Sequence, residues 1–451
     1  MTPGAKKEME LDVAREPGSV SETMPPFLLH WKRIAHPHFL NSASWVGART
    51  VSGLARVGIL LAIARVYGPE QFGQLSLAIS VVEILRAFSE FGIDTISIRK
   101  FAQTTPERRS ALLAGIAGAK LLLGSCFYIL GVGVLFLIAD RKAEILLGAI
   151  AALTLLFVSV LGAISSYLQS FLSMSRILRT AFWSSAAAIV FAALAIAAKA
   201  PLPVVVASLP LADGINLLLL WRTSGTPLSL RFNLSETAAL LRQSLPVGIM
   251  VALVVLYFRL DNIFLFKLAG AAALGLYAAS YRIIEPALMV PHSFSTTAYT
   301  ALAAPQYQTA GLGLLTSVLW RTMWPSFAFI AAAAVGAQLG GRVFLARFFP
   351  TYLPAYPVLM VLIYTLSVRT LNISLTAVLN SRAQYSVLTK IAVVNLLFNL
   401  GLVLVLIPRW GALGAAFAAL ATESLNTLLQ ARSLIAGFAS SKPQLVPETP
   451  L

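Results

Sequence analysis

The sequence predicts an all-α, polytopic membrane protein, and two observations lead to that fold class. Of the 451 residues, 58% are hydrophobic and 12% are charged, whereas soluble proteins have about 25% charged residues. The apolar residues gather in long runs rich in Leu, Ala and Gly, without the alternation over about ten residues that is typical of barrel strands. Because Cys126 is the single cysteine, the sequence also excludes a disulfide-rich scaffold.

Twelve of these runs have the length of a membrane-spanning helix, which needs about 20 apolar residues. We predict spans at 41–66, 73–94, 111–139, 145–170, 180–198, 202–221, 244–268, 274–303, 312–338, 352–379, 388–407 and 411–433. They divide the chain into a cytoplasmic N-terminal tail with an interfacial lead-in at 1–40, an N-lobe of helices 1–6 at 41–221, a cytoplasmic linker at 222–243, a C-lobe of helices 7–12 at 244–436, and a cytoplasmic C-terminal tail at 437–451. Residues 1–26 are polar and contain four prolines, which predicts disorder there.

An internal repeat relates the two predicted lobes. A shift of 202 residues aligns Arg65, Gly68, Gly73 and Glu83 with Lys267, Gly270, Gly275 and Glu285. A shift of 210 aligns Lys199, Asp213, Asn216 and Arg222 with Arg409, Glu423, Asn426 and Arg432. Six spans separate the copies, so both lobes have the same orientation in the membrane and enclose a central cavity. This plan is typical of transporters that work by alternating access, and the alternative is a bundle without a transport function.

The net charge of +16 would indicate nucleic-acid binding in a soluble protein. In a membrane protein, an excess of Lys and Arg first marks the cytoplasmic loops. With both termini in the cytoplasm, nineteen basic residues lie on the cytoplasmic side and eight on the outer side. We therefore predict cytoplasmic termini and no nucleic-acid partner.

Seven basic residues remain within the predicted spans: Arg49, Arg56, Arg86, Lys120, Arg259, Arg282 and Arg369. A charge inside a membrane costs several kcal/mol, so it persists where it faces a wet cavity or a partner. We predict that these residues line a cationic cavity, in which the planar fork of arginine suits phosphate oxygens. The alternative is neutralisation by an acid one turn away, as Glu83 offers Arg86 and Glu285 offers Arg282. Arg49 and Arg56 have no acid within one turn.

Three acidic residues in the spans are candidates for coupling or for switching between states: Asp261, Glu83 and Glu285. Asp261 lies in an apolar run two residues after Arg259. It either pairs with an arginine and biases the inward-facing against the outward-facing state, or titrates and couples transport to protons or sodium. No cofactor or metal site is predicted, because the four histidines are too few and no nucleotide-binding motif is visible.

Glycine and proline mark candidate hinges in three spans. These residues are Gly53, Gly58, Pro246, Pro286 and Pro291. Proline removes a backbone hydrogen bond and kinks a helix, and helices next to a central cavity must bend if the lobes rock. Kinks that serve only helix packing are the alternative interpretation.

Three stretches carry a family resemblance: 60–103, 245–303 and 380–420. They contain RVYGPEQFG at 65–73, Arg259 with Asp261, and GLYAASYR at 275–282. In order and spacing they resemble the polysaccharide-transporter (Wzx-type oligosaccharide flippase) family of the multidrug/oligosaccharidyl-lipid/polysaccharide exporter superfamily. The connection at 304–318 departs from the pattern, because it carries no charge where a basic loop is expected.

The resemblance implies a membrane transporter rather than an enzyme. Such a protein moves a polyprenyl-diphosphate-linked oligosaccharide across the bacterial cytoplasmic (inner) membrane. The cargo is the repeat unit of a lipopolysaccharide O-antigen, a capsule or an exopolysaccharide. The implied partners are the lipid-linked oligosaccharide, membrane lipid, a polysaccharide polymerase and a chain-length regulator.

Three other functions compete with this one. A cation or drug antiporter of the same superfamily would place unpaired acids in the cavity, where this sequence has mostly basic residues. A membrane-embedded polymerase, ligase or scaffold usually needs a large outer loop, and the longest one predicted, 339–351, has no acid or histidine. A peptidoglycan-precursor flippase typically has fourteen spans rather than twelve.

Overall fold

The computed structural model describes residues 26–138, 141–226, 229–304 and 312–440. Every regular element in these ranges is a helix, and none of them contains a strand, which confirms the all-α fold class. Of the segment predicted to be disordered, 1–26, all but the last residue lies outside the described residues. So does most of the uncharged connection that follows residue 304.

The described residues of the first half form eight helices. They are α1 (Pro26–Glu90), α2 (Ile93–Gln103), α3 (Pro106–Ile138), α4 (Lys142–Ala152), α5 (Thr154–Ser170), α6 (Met174–Ala197), α7 (Leu202–Val206) and α8 (Ser208–Ser224). In the second half, the described residues form five α-helices with two short 3₁₀ turns. They are α9 (Leu234–Ile284), a turn at Glu285–Leu288, α10 (Met289–Leu302), α11 (Leu312–Phe348), a turn at Pro350–Ala355, α12 (Tyr356–Ser381) and α13 (Tyr385–Ser440).

Nine helical segments of the described residues are long and apolar enough to cross a membrane. Three of them contain a glycine with non-helical backbone angles: Gly68, Gly270 and Gly411. Each of these glycines lies at the junction of two predicted spans. All three have a positive φ, a conformation that glycine adopts without steric cost. The breaks therefore occur where the sequence permits the backbone to leave the helix.

One predicted span is shorter than its helix. The ninth span was expected to end at 338, but α11 continues to Phe348, so most of the predicted outer loop at 339–351 is helical. Leu339, Val343 and Phe348 in this extension are exposed apolar side chains, consistent with contact to lipid. The eighth predicted span, 274–303, is interrupted by the 3₁₀ turn at Glu285–Leu288, which contains Pro286, one of the prolines expected to break it.

A shared apolar core joins the two halves. The largest cluster of buried side chains includes Leu60 and Phe72 from α1, Leu274 and Tyr277 from α9, and Leu362 from α12. A smaller cluster lies around Phe101, Ile164 and Ile177 of the first half and includes Leu240 from the start of α9. Large apolar side chains such as Leu137 are exposed on the outside, as expected of a protein whose outer solvent is lipid.

Contacts between residues far apart in the sequence show which helix connections of the first half lie at the same end of the bundle. At one end, Arg176 donates to the carbonyl of Thr223 (3.0 Å) and Arg109 lies over the ring of Phe171 (4.2 Å). We call this the basic end. At the other, the far end, Arg141 pairs with Glu70 (3.0 Å).

Candidate functional site

The first half contains a cavity of about 340 Å³, which we call the N-cavity. It is enclosed by α1, α5, α6 and α8, and its wall includes Arg49, Arg56 and Arg86. Arg49 and Arg56 are seven residues apart, two helical turns, so they lie on the same face of α1. Asp213 and Asn216 of α8 contribute an acid and an amide to the same wall.

Arg49 and Arg56 differ from the other intramembrane cations. Neither has a carboxylate within 4.0 Å among the described residues. The Nε of Arg56 is buried and has no hydrogen-bond partner in the described part of the chain. Asp213 and Glu83 lie within electrostatic range of Arg56, but the Oδ2 of Asp213 accepts from Thr154 Oγ1 (2.7 Å). The N-cavity therefore presents two guanidinium groups with donors to spare for an anion.

Arg86 pairs with a different acid from the one expected. Its Nε lies 2.8 Å from Glu90 Oε1, one turn further along α1, because an i,i+4 pair brings the two side chains together on the helix surface. Glu83, the expected partner, pairs instead with Arg259 of the second half. Sequence spacing could not reveal this pair, because its members are on two different helices.

A small cavity of about 30 Å³, the central cavity, lies between the two halves. Arg259, Arg282 and Glu285 contribute to its wall, and Arg282 Nη1 lies 2.7 Å from Glu285 Oε2. This is the local neutralisation considered for Arg282. Next to it, Asn262 of α9 donates to Ser80 Oγ of α1 (2.7 Å), a second polar contact between the halves.

The second half contains the largest of these three cavities, about 810 Å³, which we call the C-cavity. It is enclosed by α9, α10, α12 and α13. The Nε of Arg369 lies 3.6 Å from Glu423 Oε1, and its guanidinium lies 4.0 Å from the centroid of the Phe258 ring. Glu423 also accepts from Asn372 Nδ2 (2.6 Å). Arg369 thus lines a cavity, but Glu423 neutralises its charge.

Lys120 lies apart from these three cavities. Its side chain is fully buried and forms an ion pair with Asp94 of α2. Gly162 on α5 leaves the space that the ammonium group occupies, since a Cβ there would meet Lys120 Nζ. Lys120 therefore packs within the first half and does not line any of these three cavities. The acid is 26 residues away, beyond any local spacing rule.

Asp261 forms no ion pair with an arginine among the described residues, and such a pair was one of its two interpretations. It is 6% exposed, and its Oδ2 lies 3.5 Å from Asn399 Nδ2. Asn399 in turn lies 3.4 Å from Thr422 Oγ1. The Oδ1 of Asp261 has no hydrogen-bond partner in the described part of the chain. No group of three His, Cys, Asp or Glu side chains suited to a metal is found in the described ranges.

The candidate hinges have different surroundings. Gly53 lies in the wall of the N-cavity, where an added Cβ would lie 3.3 Å from Met289 Cε of α10. Gly58 has no heavy atom within 4 Å of such a Cβ. Pro246 lies inside α9, Pro286 in the 3₁₀ turn that divides the predicted eighth span, and Pro291 in α10. Their role as hinges stays a prediction.

A reciprocal contact joins the halves at the far end. A Cβ added to Gly73 would meet the carbonyl oxygen of Ala271, and one added to Gly275 would meet that of Pro69. A shift of 202 residues converts Gly73 into Gly275 and Pro69 into Ala271. Such mutual contact of equivalent residues is the signature of a two-fold interface. The opposite ends of these helices also touch, because the ring of Phe91 lies against Gly248.

Sequence reasoning missed the polar side chains that complete the two larger cavities. The repeat had aligned Asp213 with Glu423 and Asn216 with Asn426, and the structure places the first of each pair in the N-cavity and the second in the C-cavity. Polar residues at matching places of a repeat, within apolar spans, were the signal that could have found them.

Solved structures with the same fold are known. The lipid II flippase MurJ in an inward closed conformation has 12% identity and a TM-score of 0.71, with 89% of each chain covered. An inward-facing multidrug resistance MATE family transporter of the MOP superfamily has 14% identity and a TM-score of 0.68, covering 87% of this chain and 96% of that chain. The outward-facing MATE structure has a TM-score of 0.58 at 14% identity, covering 88% and 96%. Among curated proteins, no sequence matches significantly.

These similarities show that the chain shares the fold of these membrane proteins. The family assignment comes from the sequence, because residues 40–303 match the family described as polysaccharide biosynthesis protein. That range covers more than half of the 451 residues. The chain therefore belongs to the polysaccharide biosynthesis protein family.

Proposed function

We propose that the protein is a flippase that moves a polyprenyl-diphosphate-linked oligosaccharide across the bacterial cytoplasmic membrane. The cargo is the repeat unit of an O-antigen, capsule or exopolysaccharide. The family and the transporter fold support this class of function. The observation that carries the proposal is the N-cavity with Arg49 and Arg56, whose guanidinium groups have no carboxylate within 4.0 Å in the described part of the chain.

A diphosphate requires positive charge inside the membrane, and an arginine there is stable only with a partner or water. Arg56 offers a buried Nε donor that nothing in the described part of the chain accepts. A phosphate oxygen would satisfy it, with a charge-assisted hydrogen bond about twice as strong as a neutral one. Asp213 provides partial charge balance when the cavity is empty.

We propose twelve spans in two six-helix lobes with both termini in the cytoplasm. The breaks at Gly68, Gly270 and Gly411 would divide the three longest segments into six spans. Gly68 (φ 77°, ψ 177°) and Gly270 (φ 86°, ψ 172°) have nearly the same backbone angles at equivalent repeat positions. The reciprocal contact of Gly73 with Gly275 further supports a two-fold axis along the membrane normal.

Alternating access would open and close the two ends of the bundle in turn. The far end, closed where Gly73 and Gly275 meet the opposite half, would face the outer leaflet side. The N-cavity reaches Ile177 in the first turn of α6, and the C-cavity reaches Tyr385 at the start of α13. Both positions adjoin connections predicted to be cytoplasmic. The Glu83–Arg259 pair lies between the halves, so a bound anion that competes for Arg259 would loosen the closed state.

Asp261 is our candidate for coupling to protons or sodium. Its carboxylate lies near Asn399 of α13, which in turn lies near Thr422 on the other side of the break at Gly411. A binding event there would change how α9 packs against α13. No other cofactor is proposed.

Gene deletion with complementation tests the function. Loss of the gene should leave lipid-linked repeat units in the cytoplasmic leaflet and remove the surface polysaccharide. The wild-type gene should restore it, whereas Arg49→Ala with Arg56→Ala should not, at normal protein level. Arg179→Ala, an exposed arginine on α6, is the control that should restore it. Unchanged surface polysaccharide on deletion, together with accumulation of a cationic dye, would replace this function with cation export.

A further inference from the structure

We propose that the C-cavity binds the glycan part of the cargo, at a site separate from the arginines of the N-cavity. This inference rests on the proposed function and deepens it. The N-cavity would hold the diphosphate, and the C-cavity would hold the uncharged, hydroxyl-rich sugars attached to it. The argument starts from the composition of the two cavity walls.

Amide side chains dominate the polar wall of the C-cavity. They are Asn372, Asn380, Asn395, Asn426 and Gln430. An amide offers two donors and an acceptor with two lone pairs, and therefore matches hydroxyl and acetamido groups, which also donate and accept. The cavity of about 810 Å³ has a volume typical of small-molecule sites, about 300–1,000 Å³.

Asn395 provides an independent sign of a ligand. Its side chain is 4% exposed, and its Oδ1 has no hydrogen-bond partner in the described part of the chain. Because buried polar atoms are nearly always hydrogen-bonded, this oxygen lacks a donor that a sugar hydroxyl would supply. Tyr257 and Tyr299 add ring faces with polar tips to the same wall, a surface suited to ligands that are partly apolar.

The charge of the wall selects against ionic ligands. Arg369 and Glu423 are its two oppositely charged residues, and they pair with each other at 3.6 Å. An anion would need a free cation there, and a cation would need a free carboxylate. Neither is present among the described residues that line the C-cavity. A neutral, polyhydroxylated ligand is the class that this wall fits.

The position of the C-cavity allows one cargo molecule to reach both sites. Phe258 belongs to the walls of both the C-cavity and the central cavity. Its neighbour Arg259 also lines the central cavity and pairs with Glu83, which lies within electrostatic range of Arg56 and Arg86. Phe258, Arg259 and Glu83 thus lead from the C-cavity towards the arginines of the N-cavity. The sugars of a cargo whose diphosphate lies near those arginines would extend towards Phe258.

Binding to the full-length protein in lipid nanodiscs tests the inference with two probes. One is a sugar-free polyprenyl diphosphate, and the other is the lipid-linked oligosaccharide pool extracted from the source organism. The wild-type protein should bind the second probe at least about tenfold more tightly, which corresponds to about 1.4 kcal/mol from the glycan. Asn395→Leu combined with Asn426→Leu should abolish that difference and leave the affinity for the sugar-free probe within about twofold.

The repeat supplies a matched control. Asn216, the equivalent of Asn426, lines the N-cavity, so Asn216→Leu should retain the difference between the two probes. Asn380→Ala serves as a second C-cavity variant if the double variant is unstable, and it should reduce the difference. The inference is overturned if the C-cavity variants keep the full difference, or if they weaken both probes equally.

Binding by the wild-type protein distinguishes failure of the glycan site from failure of the flippase function. If it binds both probes with equal affinity, the glycan site is wrong and the flippase function stands. If it binds neither probe, the flippase function fails and the glycan site fails with it.

Discussion

The N-cavity and the C-cavity draw on equivalent residues but have different chemistry. Asp213 and Asn216 in one correspond to Glu423 and Asn426 in the other by the 210-residue shift. The N-cavity adds Arg49 and Arg56, which have no ion-pair partner within 4.0 Å in the described part of the chain. The C-cavity adds Arg369, which is paired with its acid, and a set of amides.

The difference shows that counting intramembrane charges overestimates the positive charge of a cavity. Five of the seven basic residues predicted to line a cationic cavity have an ion-pair partner: Arg86, Lys120, Arg259, Arg282 and Arg369. Of these seven residues, the two without an ion-pair partner among the described residues, Arg49 and Arg56, therefore both lie in the first half. A duplicated chain can in this way keep its acids and amides in place while its two cavities take up different ligands.

The largest expected effect on transport is at the far-end contact that the halves share. Gly73→Leu would drive a side chain into the backbone at Ala271, and Gly275→Leu would do the same at Pro69. Overpacking costs about 1–3 kcal/mol, so each variant should hold the far end open and reduce transport by about tenfold or more. Gly133→Leu, which has open space around it, should transport normally. Unequal effects of the two substitutions would contradict the proposed two-fold symmetry.

Removing an arginine from the C-cavity should destabilise the protein, whereas removing one from the N-cavity should not. Arg369→Ala leaves the buried Glu423 without its partner, and breaking such a pair typically costs about 3–5 kcal/mol. Arg56→Ala removes no ion pair and should leave thermal stability unchanged or raised. The measurement is the unfolding temperature of each purified variant in detergent. Equal destabilisation by both would contradict the distinction between a paired and an unpaired cation.

Lys120 tests whether an intramembrane cation can be purely structural. Lys120→Met leaves Asp94, whose side chain is 37% exposed, without its ion-pair partner and should destabilise the fold by about 1–3 kcal/mol. Adding Asp94→Asn removes the orphaned charge and should restore most of the lost stability, with transport retained. A stable double variant that no longer transports would show that Lys120 takes part in transport.

The smallest effect is expected at the exposed far-end pair. The side chains of Arg141 and Glu70 are 64% and 59% exposed, and exposed pairs contribute about 0–1 kcal/mol. Arg141→Ala should therefore change neither transport nor the unfolding temperature measurably. A clear loss of transport would mean that the far end depends on this pair as well as on the glycines.

Much of the fold was predictable, because lipid imposes a simple rule on helices. Apolar runs of about 20 residues identified the helical segments, and the repeat located Gly68 and Gly270, where the backbone leaves the helix. The boundary of α11 was not predictable from composition. Arg342, Arg347 and a glycine pair at 340–341 resemble a loop, yet the helix continues through them.

The candidate site was predictable only in part. Spacing along one helix placed Arg49 and Arg56 on one face and paired Arg282 with Glu285. It could not find partners from other helices, such as Glu83 for Arg259 or Asp94 for Lys120. It also could not assign Asp213 or the amides around Asn395 to cavities, since an isolated polar residue in an apolar run has no periodic pattern.

The central claim is that Arg49 and Arg56 bind the diphosphate of a lipid-linked oligosaccharide during its transfer between leaflets. Its most direct test is a leaflet-transfer assay with purified protein in liposomes, using labelled lipid-linked oligosaccharide from the source organism. The wild-type protein and Arg179→Ala should transfer the cargo, whereas Arg49→Ala with Arg56→Ala should fall to the protein-free rate while remaining folded. Transfer at the wild-type rate by the double variant would contradict the account.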